Sequence, residues 1–147
     1  MAKLASHLVA DRVVALQAQT RKAAIDELLA LVATHHEVAD NAEFARLIHE
    51  REAGVSTAIG FGVAIPHAPP PGLKKLFVYV GFSKDGIDYE ASDGHLVHLV
   101  FLVGKANQRE YLGLLQQIAW LLRNDSLRNQ LYDAPDAQTL YSLLSQH

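Results

Sequence analysis

Residues 56–67, Ser-Thr-Ala-Ile-Gly-Phe-Gly-Val-Ala-Ile-Pro-His, form an apolar stretch jointed by glycines and ending on His67. Pro69, Pro70, Pro71 and Gly72 follow almost at once. A histidine caught between a short strand and a rigid proline loop has little freedom to fold back into a core. Gly60 and Gly62 let backbone approach closely where a side chain would interfere. The pattern sets an imidazole at the rim of a sheet, available for chemistry or for a partner.

A chain of 147 residues fits one domain, expected here over 1–147. Such a domain buries about two thirds of its unfolded surface and needs no staple. Half the residues are apolar and a fifth charged, with a net charge of −3 and no basic stripe. That balance argues against nucleic acid as the main partner. No cysteine is present, which removes disulfides, thiol catalysis and cysteine-based zinc sites and fits a reducing compartment. Met1 to Asp11 lacks the apolar core of a signal peptide. The most hydrophobic window, Leu96 to Val103, is interrupted by His98 and is far shorter than the ~20 residues of a bilayer helix. The expectation is a cytoplasmic protein with no membrane insertion.

Helical and strand periodicities divide the chain. Thr20 caps a helix running to about Thr34, with Ala24, Ile25, Leu28, Leu29 and Val32 on one face. Asp40 and Glu43 have capping-box spacing and open a second helix through Glu52, with Phe44, Leu47 and Ile48 as its buried stripe. Arg12 to Leu16 reads as a short strand. Leu76 to Phe82 is rich in aromatic and β-branched residues, Ser83-Lys84-Asp85-Gly86 is a turn signal, and Ile87 to Tyr89 reads as another short strand. Ser92-Asp93-Gly94 marks the next turn. Leu96 to Val103 is nearly continuous in apolar residues, as in a strand covered on both faces. Gln108 to Leu122 supplies a helix with Tyr111, Leu115, Ile118 and Leu122 on one face, and 125–132 and 136–144 give two more. The predicted fold is a layered α/β/α domain with a central mixed sheet flanked by helices.

Several candidate chemistries fail on spacing. Gly60-Phe61-Gly62 is not a dinucleotide loop, because the third glycine would fall at Ile65 and strand follows. Walker A and G-x-S-x-G patterns are absent. His95 and His98, three apart in a strand, are expected on opposite faces. His35 and His36 sit near a helix C-terminus, where the macrodipole favours a partly positive ring. No HExxH-type spacing supports a metal site, and no cofactor is called for.

His67 remains, either as a structural histidine or as a functional one. A neutral imidazole is a nucleophile and can hold a phosphoryl group. A transferable phosphoryl needs an arginine to spread its charge, and Arg51, at the end of the second helix, is best placed by sequence. On spacing alone Arg51 could equally be a solvated helix-end cation.

Arg51-Glu52 followed by the whole run from Ser56 to His67 resembles the signature of fructose/mannitol-type enzyme IIA domains of the bacterial phosphoenolpyruvate-dependent sugar phosphotransferase system. The likeness continues through Gly86-Ile87-Asp88, Asp93-Gly94, Val97 to Val103 and Tyr111-Leu112-Gly113-Leu114-Leu115. A chain of this length is also similar to the family's nitrogen-regulatory branch. The resemblance implies that His67 accepts a phosphoryl group on its ε nitrogen from the histidine-phosphocarrier protein. It also implies that Arg51 stabilises the group in transfer, and that a sugar-specific IIB component or a regulatory target receives the phosphoryl or reads it. Thr57 matches the threonine before the glycine-rich stretch and offers a hydroxyl or backbone contact, or serves only as a β-branched strand residue.

Departures from the family pattern matter as well. Tyr111 stands where relatives commonly carry a second histidine; a phenol donates a hydrogen bond but is not cationic. Ala58 replaces a usual glycine, implying negative φ there. Phe61 occupies a site often polar in relatives and suits either a partner-docking anchor or packing against the early helices. Tyr111 and Phe61 together motivate an alternative: a degenerate, non-phosphorylated protein-binding module of the same fold. A small hydrolase using His67 as general base lacks any second catalytic group.

Overall fold

The computed structural model describes residues 4–147, so the first three positions of the Met1 to Asp11 start lie outside it. Two 3₁₀ turns, Leu4–His7 and Ala10–Arg12, lead into β1 (Val13–Ala15). Helices α1 (Arg21–His35) and α2 (Asn41–Ala53) follow, then three short strands, β2 (Ala58–Gly60), β3 (Val63–Ala64) and β4 (His67–Ala68). The long strands β5 (Phe77–Ile87) and β6 (Val97–Gly104) precede α3 (Gln108–Leu122), α4 (Asp125–Tyr132) and α5 (Ala137–Ser145).

The sheet runs β1-β5-β6-β3-β2, and β4 continues the β3 edge of β6. β5 and β6 are antiparallel, whereas β1 on β5 and both β3 and β4 on β6 are parallel, giving the mixed sheet. Period-two alternation along the strands sorts side chains onto two faces. Val78, Val80, Phe82, Leu99, Phe101 and Val103 join the core under α3, α4 and α5. Phe77, Tyr79, Val100 and Leu102 join the core under α1 and α2. The layered α/β/α expectation holds.

Side chains fix the helix starts. Thr20 Oγ1 accepts from the Ala23 amide at 3.3 Å, and Asp40 Oδ1 from the Glu43 amide at 3.0 Å. Each such cap contributes about 1 kcal/mol. The capping box is only half made, because the Glu43 carboxylate turns to Arg46 rather than back to the cap.

Two local expectations are corrected. Ser83 to Gly86 is not a turn between two strands: β5 runs through it as one strand, carrying an irregularity between the Phe82–Leu99 and Ile87–Val97 pairs. Five steps on β5 face two on β6, so the surplus residues bulge outward. Ser83 Oγ accepts from the Gly86 amide at 3.1 Å, and Gly86 takes a φ of +89°. Bulge and turn share the same glycine and serine signals, and the register of the partner strand decides between them. The stretch 56–67, read as one glycine-jointed strand, is three. Phe61-Gly62 makes a tight turn with φ of 57° and 73°, and Ile65-Pro66 separates β3 from β4. Ala58 has no positive φ, as expected.

β4 closes against the end of β6, with His67 opposite Val103 and Ala68 opposite Gly104. A Cβ at Gly104 would lie 2.3 Å from the buried Phe77 ring. Gly104→Ala is therefore expected to destabilise the fold by about 1–3 kcal/mol through overpacking. A lower urea midpoint with an unchanged m-value is the reading that checks it.

Candidate functional site

The Val103 amide donates to the Pro66 carbonyl at 2.9 Å and the Lys105 amide to the Ala68 carbonyl at 3.0 Å, so backbone bonds flank His67 on both sides. The half-buried ring of His67 has Nδ1 2.9 Å from the Ile65 carbonyl oxygen and 2.9 Å from the Tyr111 hydroxyl. A carbonyl oxygen can only accept, so Nδ1 carries the proton and Nε2 keeps its lone pair. Burial is the largest influence on the ring and lowers its pKa below the ordinary 6.5. The Ile65 carbonyl and Glu52 pull upward, while Arg51 and Lys105 push downward. At neutral pH the imidazole is uncharged, with its nucleophilic nitrogen set by one backbone carbonyl.

A cavity of about 170 Å³ lies over the ring, lined among others by Arg51, Ser56, Thr57, Ile59, His67 and Tyr111. Arg51 comes from the last turn of α2, and its Nη1 donates to the Val55 carbonyl at 2.7 Å, which ties down the loop after the helix. Tyr111 comes from the first turn of α3. Its ring lies 4.6 Å from the imidazole, and Lys105 Nζ stands 4.9 Å over the phenol. Burial pushes the phenol up to about 12 against the opposing pull of Arg51, so its hydroxyl stays neutral. A neutral nucleophile, a guanidinium and an uncharged donor thus share one small cavity drawn from both helical layers.

Of the contacts expected of Thr57, the structure shows the backbone one. Thr57 lies just before β2, is buried, and turns its hydroxyl away from His67 to donate to Glu52 Oε1. Its link to the site is through backbone, because its carbonyl accepts from the Ile65 amide at 3.1 Å. Phe61 is 54% exposed and does not pack on the early helices. Arg128 of α4 stacks over it at 4.8 Å, and Phe61 lines a separate depression with His95, His98 and Tyr132. His95 and His98 therefore share one depression rather than opposite faces: β6 begins only at Val97, so strand alternation does not reach His95.

Sequence reasoning missed Glu52, Tyr89 and Lys105. The signal for Glu52 was present, since Phe44, Ile48 and Glu52 fall four apart on the buried stripe of α2. A carboxylate at a core position needs specific partners.

The family model described as "Phosphoenolpyruvate-dependent sugar phosphotransferase system, EIIA 2" matches residues 7–147. The chain belongs to that family. A nitrogen regulatory protein of Bradyrhizobium diazoefficiens is 37% identical over 133 residues, 89% of this chain and 86% of that one. The fructose-specific EIIABC component of Bacillus subtilis is 31% identical over 134 residues, 90% of this chain, yet the match spans only 21% of that longer protein. Among solved structures, the nitrogen regulatory protein IIA-Ntr of Neisseria meningitidis superposes with a TM-score of 0.83 at 24% identity, covering 96% of this chain and 98% of the other. Among the described residues no helix is long and apolar enough to cross a membrane.

Tyr111→Phe removes one neighbour of Nδ1 but leaves the Ile65 carbonyl. Nitrogen-15 spectra of the imidazole are expected to show the Nδ1-protonated tautomer in both proteins. The wild-type ring should titrate below 6.5, in line with its burial.

Proposed function

We propose that this chain is a phosphocarrier and regulator that accepts a phosphoryl group at Nε2 of His67 from the histidine-phosphocarrier protein. It then passes the group to a sugar-specific IIB component or displays it to a regulatory target. The observation that carries this reading is the Nδ1 contact with the Ile65 carbonyl, which leaves Nε2 unprotonated in a cavity that Arg51 also lines.

The chemistry balances without outside help. The P–N bond of the donor phosphohistidine breaks as the His67 Nε2–P bond forms, and the donor imidazole leaves with its electron pair. Nδ1 keeps its proton, so positive charge develops on the His67 ring, and the Ile65 carbonyl is aimed at that charge. Arg51 offers a fork of donors to the equatorial phosphoryl oxygens, which carry most of the charge in a loose transition state. Tyr111 holds the ring face and adds a neutral donor. Exposed Val55, Ile59 and Leu112 sit on the segments that carry Arg51, the β2 edge and Tyr111, and supply apolar surface around the cavity for docking. Phe61 serves as an anchor for a partner that reaches past the cavity. Phosphorylation would place roughly two negative charges at this spot, enough to repel an acidic partner or recruit a basic one without rearrangement of the fold.

Incubation with phosphoenolpyruvate, the first enzyme of the system and its phosphocarrier is expected to add one acid-labile phosphoryl, absent in His67→Ala. Arg51→Gln should slow labelling by about 10²-fold, the scale of losing one preorganised donor. The labelling rate should hold steady through neutral pH and fall on the acid side, with its midpoint below 6.5, because only the unprotonated ring reacts. No label on the wild type, together with partner binding unmoved by His67→Glu, would leave the non-phosphorylated binding module as the correct reading.

A further inference from the structure

Glu52 is nearly sealed from solvent, at 3% exposure, at the C-terminal end of α2. Its Oε1 accepts from the Thr57 hydroxyl and from the Tyr89 hydroxyl, the latter at 2.9 Å. Its Oε2 has no hydrogen-bond partner among the described residues, and its nearest cation, Arg21 Nη1, stands 4.0 Å away and is shared with Glu90. A buried carboxylate this sparsely matched costs stability, and replacing it with an apolar side chain of similar volume is often neutral or stabilising. Its retention calls for a role outside the core.

A role is visible in the bonds that lead away from it. Thr57, gripped by Oε1, presents its carbonyl to the Ile65 amide at 3.1 Å, and the Ile65 carbonyl in turn holds His67 Nδ1 at 2.9 Å. Three consecutive hydrogen bonds therefore run from the carboxylate to the imidazole. Resting on the reading of His67 as phosphoryl acceptor, we propose that Glu52 is a positioning residue for it. Through Thr57 it fixes the Ile65 carbonyl, and its negative charge steadies the positive charge that the ring takes on as the Nε2–P bond forms.

The polarity of the surroundings fits. The other charged groups acting on the ring, Arg51 and Lys105, are both cationic and oppose a positive imidazole, and Tyr111 is neutral. Among the described residues, Glu52 is the one anion acting with the Ile65 carbonyl in the opposite sense. Around Glu52 itself stand Arg21 from α1, Thr57 before β2, and Tyr89 after β5, whose phenol burial and the carboxylate together keep protonated. The carboxylate thus balances the two cations, Arg51 and Lys105, that act on the ring.

The deciding variant is Glu52→Gln, which keeps the shape and an acceptor but removes the charge. Nitrogen-15 titration of the His67 ring would be run on the full chain, before and after phosphorylation by phosphoenolpyruvate, the first enzyme and the phosphocarrier. Expected in E52Q are a drop of about one unit in the ring titration of both forms, and about tenfold lower phosphoryl occupancy at a fixed phosphoenolpyruvate-to-pyruvate ratio. Thr57→Val should lower occupancy as well, and Thr57→Ser should restore it, because only the hydroxyl link differs. Wild-type titration and occupancy in E52Q overturn the proposal; should that variant not fold, wild-type occupancy in T57V does so. If the wild type takes no phosphoryl at all, the parent reading fails instead. The titration of the unmodified ring then still decides whether the Glu52 charge reaches His67.

Discussion

The contact between His67 Nδ1 and the Ile65 carbonyl constrains almost everything else about this molecule. The carbonyl belongs to a residue two positions earlier, so the bond survives only if the chain bends at Ile65-Pro66 and re-enters the sheet at β4. Proline at 66 has no amide to lose, and its fixed φ favours such a break. Pairing of β4 with the end of β6 then prevents the ring from swinging away. Tautomer and ring orientation follow from a backbone geometry that the sheet enforces.

That geometry also explains the distribution of charge. Under the proposed role of phosphoryl acceptor, the ring must be neutral to attack and positive once substituted, which asks for surroundings that disfavour neither state too strongly. Burial and two cations push it toward neutrality, while a carbonyl and a buried carboxylate oppose them. The phenol of Tyr111 adds a donor without adding a third positive charge. A histidine at that position would share the ring stacking but could titrate in the same range as His67.

The architecture was largely legible in the sequence because it rests on strong local signals. Thr20 and Asp40 cap helices where the spacing said they would, and α3, α4 and α5 lie within a residue of their expected bounds. The stretch around Gly86 misled, since a serine–glycine bulge and a turn look alike until the partner strand is known. At the site, His67, Arg51 and Tyr111 converge as their positions suggested. Thr57 makes the backbone contact open to it, and Phe61 is exposed, as a docking anchor would be, in a depression separate from the His67 cavity. Which way a side chain turns at the end of a short strand depends on tertiary neighbours that local pattern does not encode. Glu52 was hidden differently, by being charged at a position whose helical spacing was apolar.

The two helical layers pack on opposite faces of the sheet, yet the cavity over His67 takes Arg51 from one and Tyr111 from the other. The short edge strand carrying the histidine is thus the seam between two separately packed halves. Any slippage of either half along the sheet would change the spacing of guanidinium and phenol about the imidazole. A partner closing over this seam, as proposed, would grip both halves at once, and the joint itself would become what is recognised.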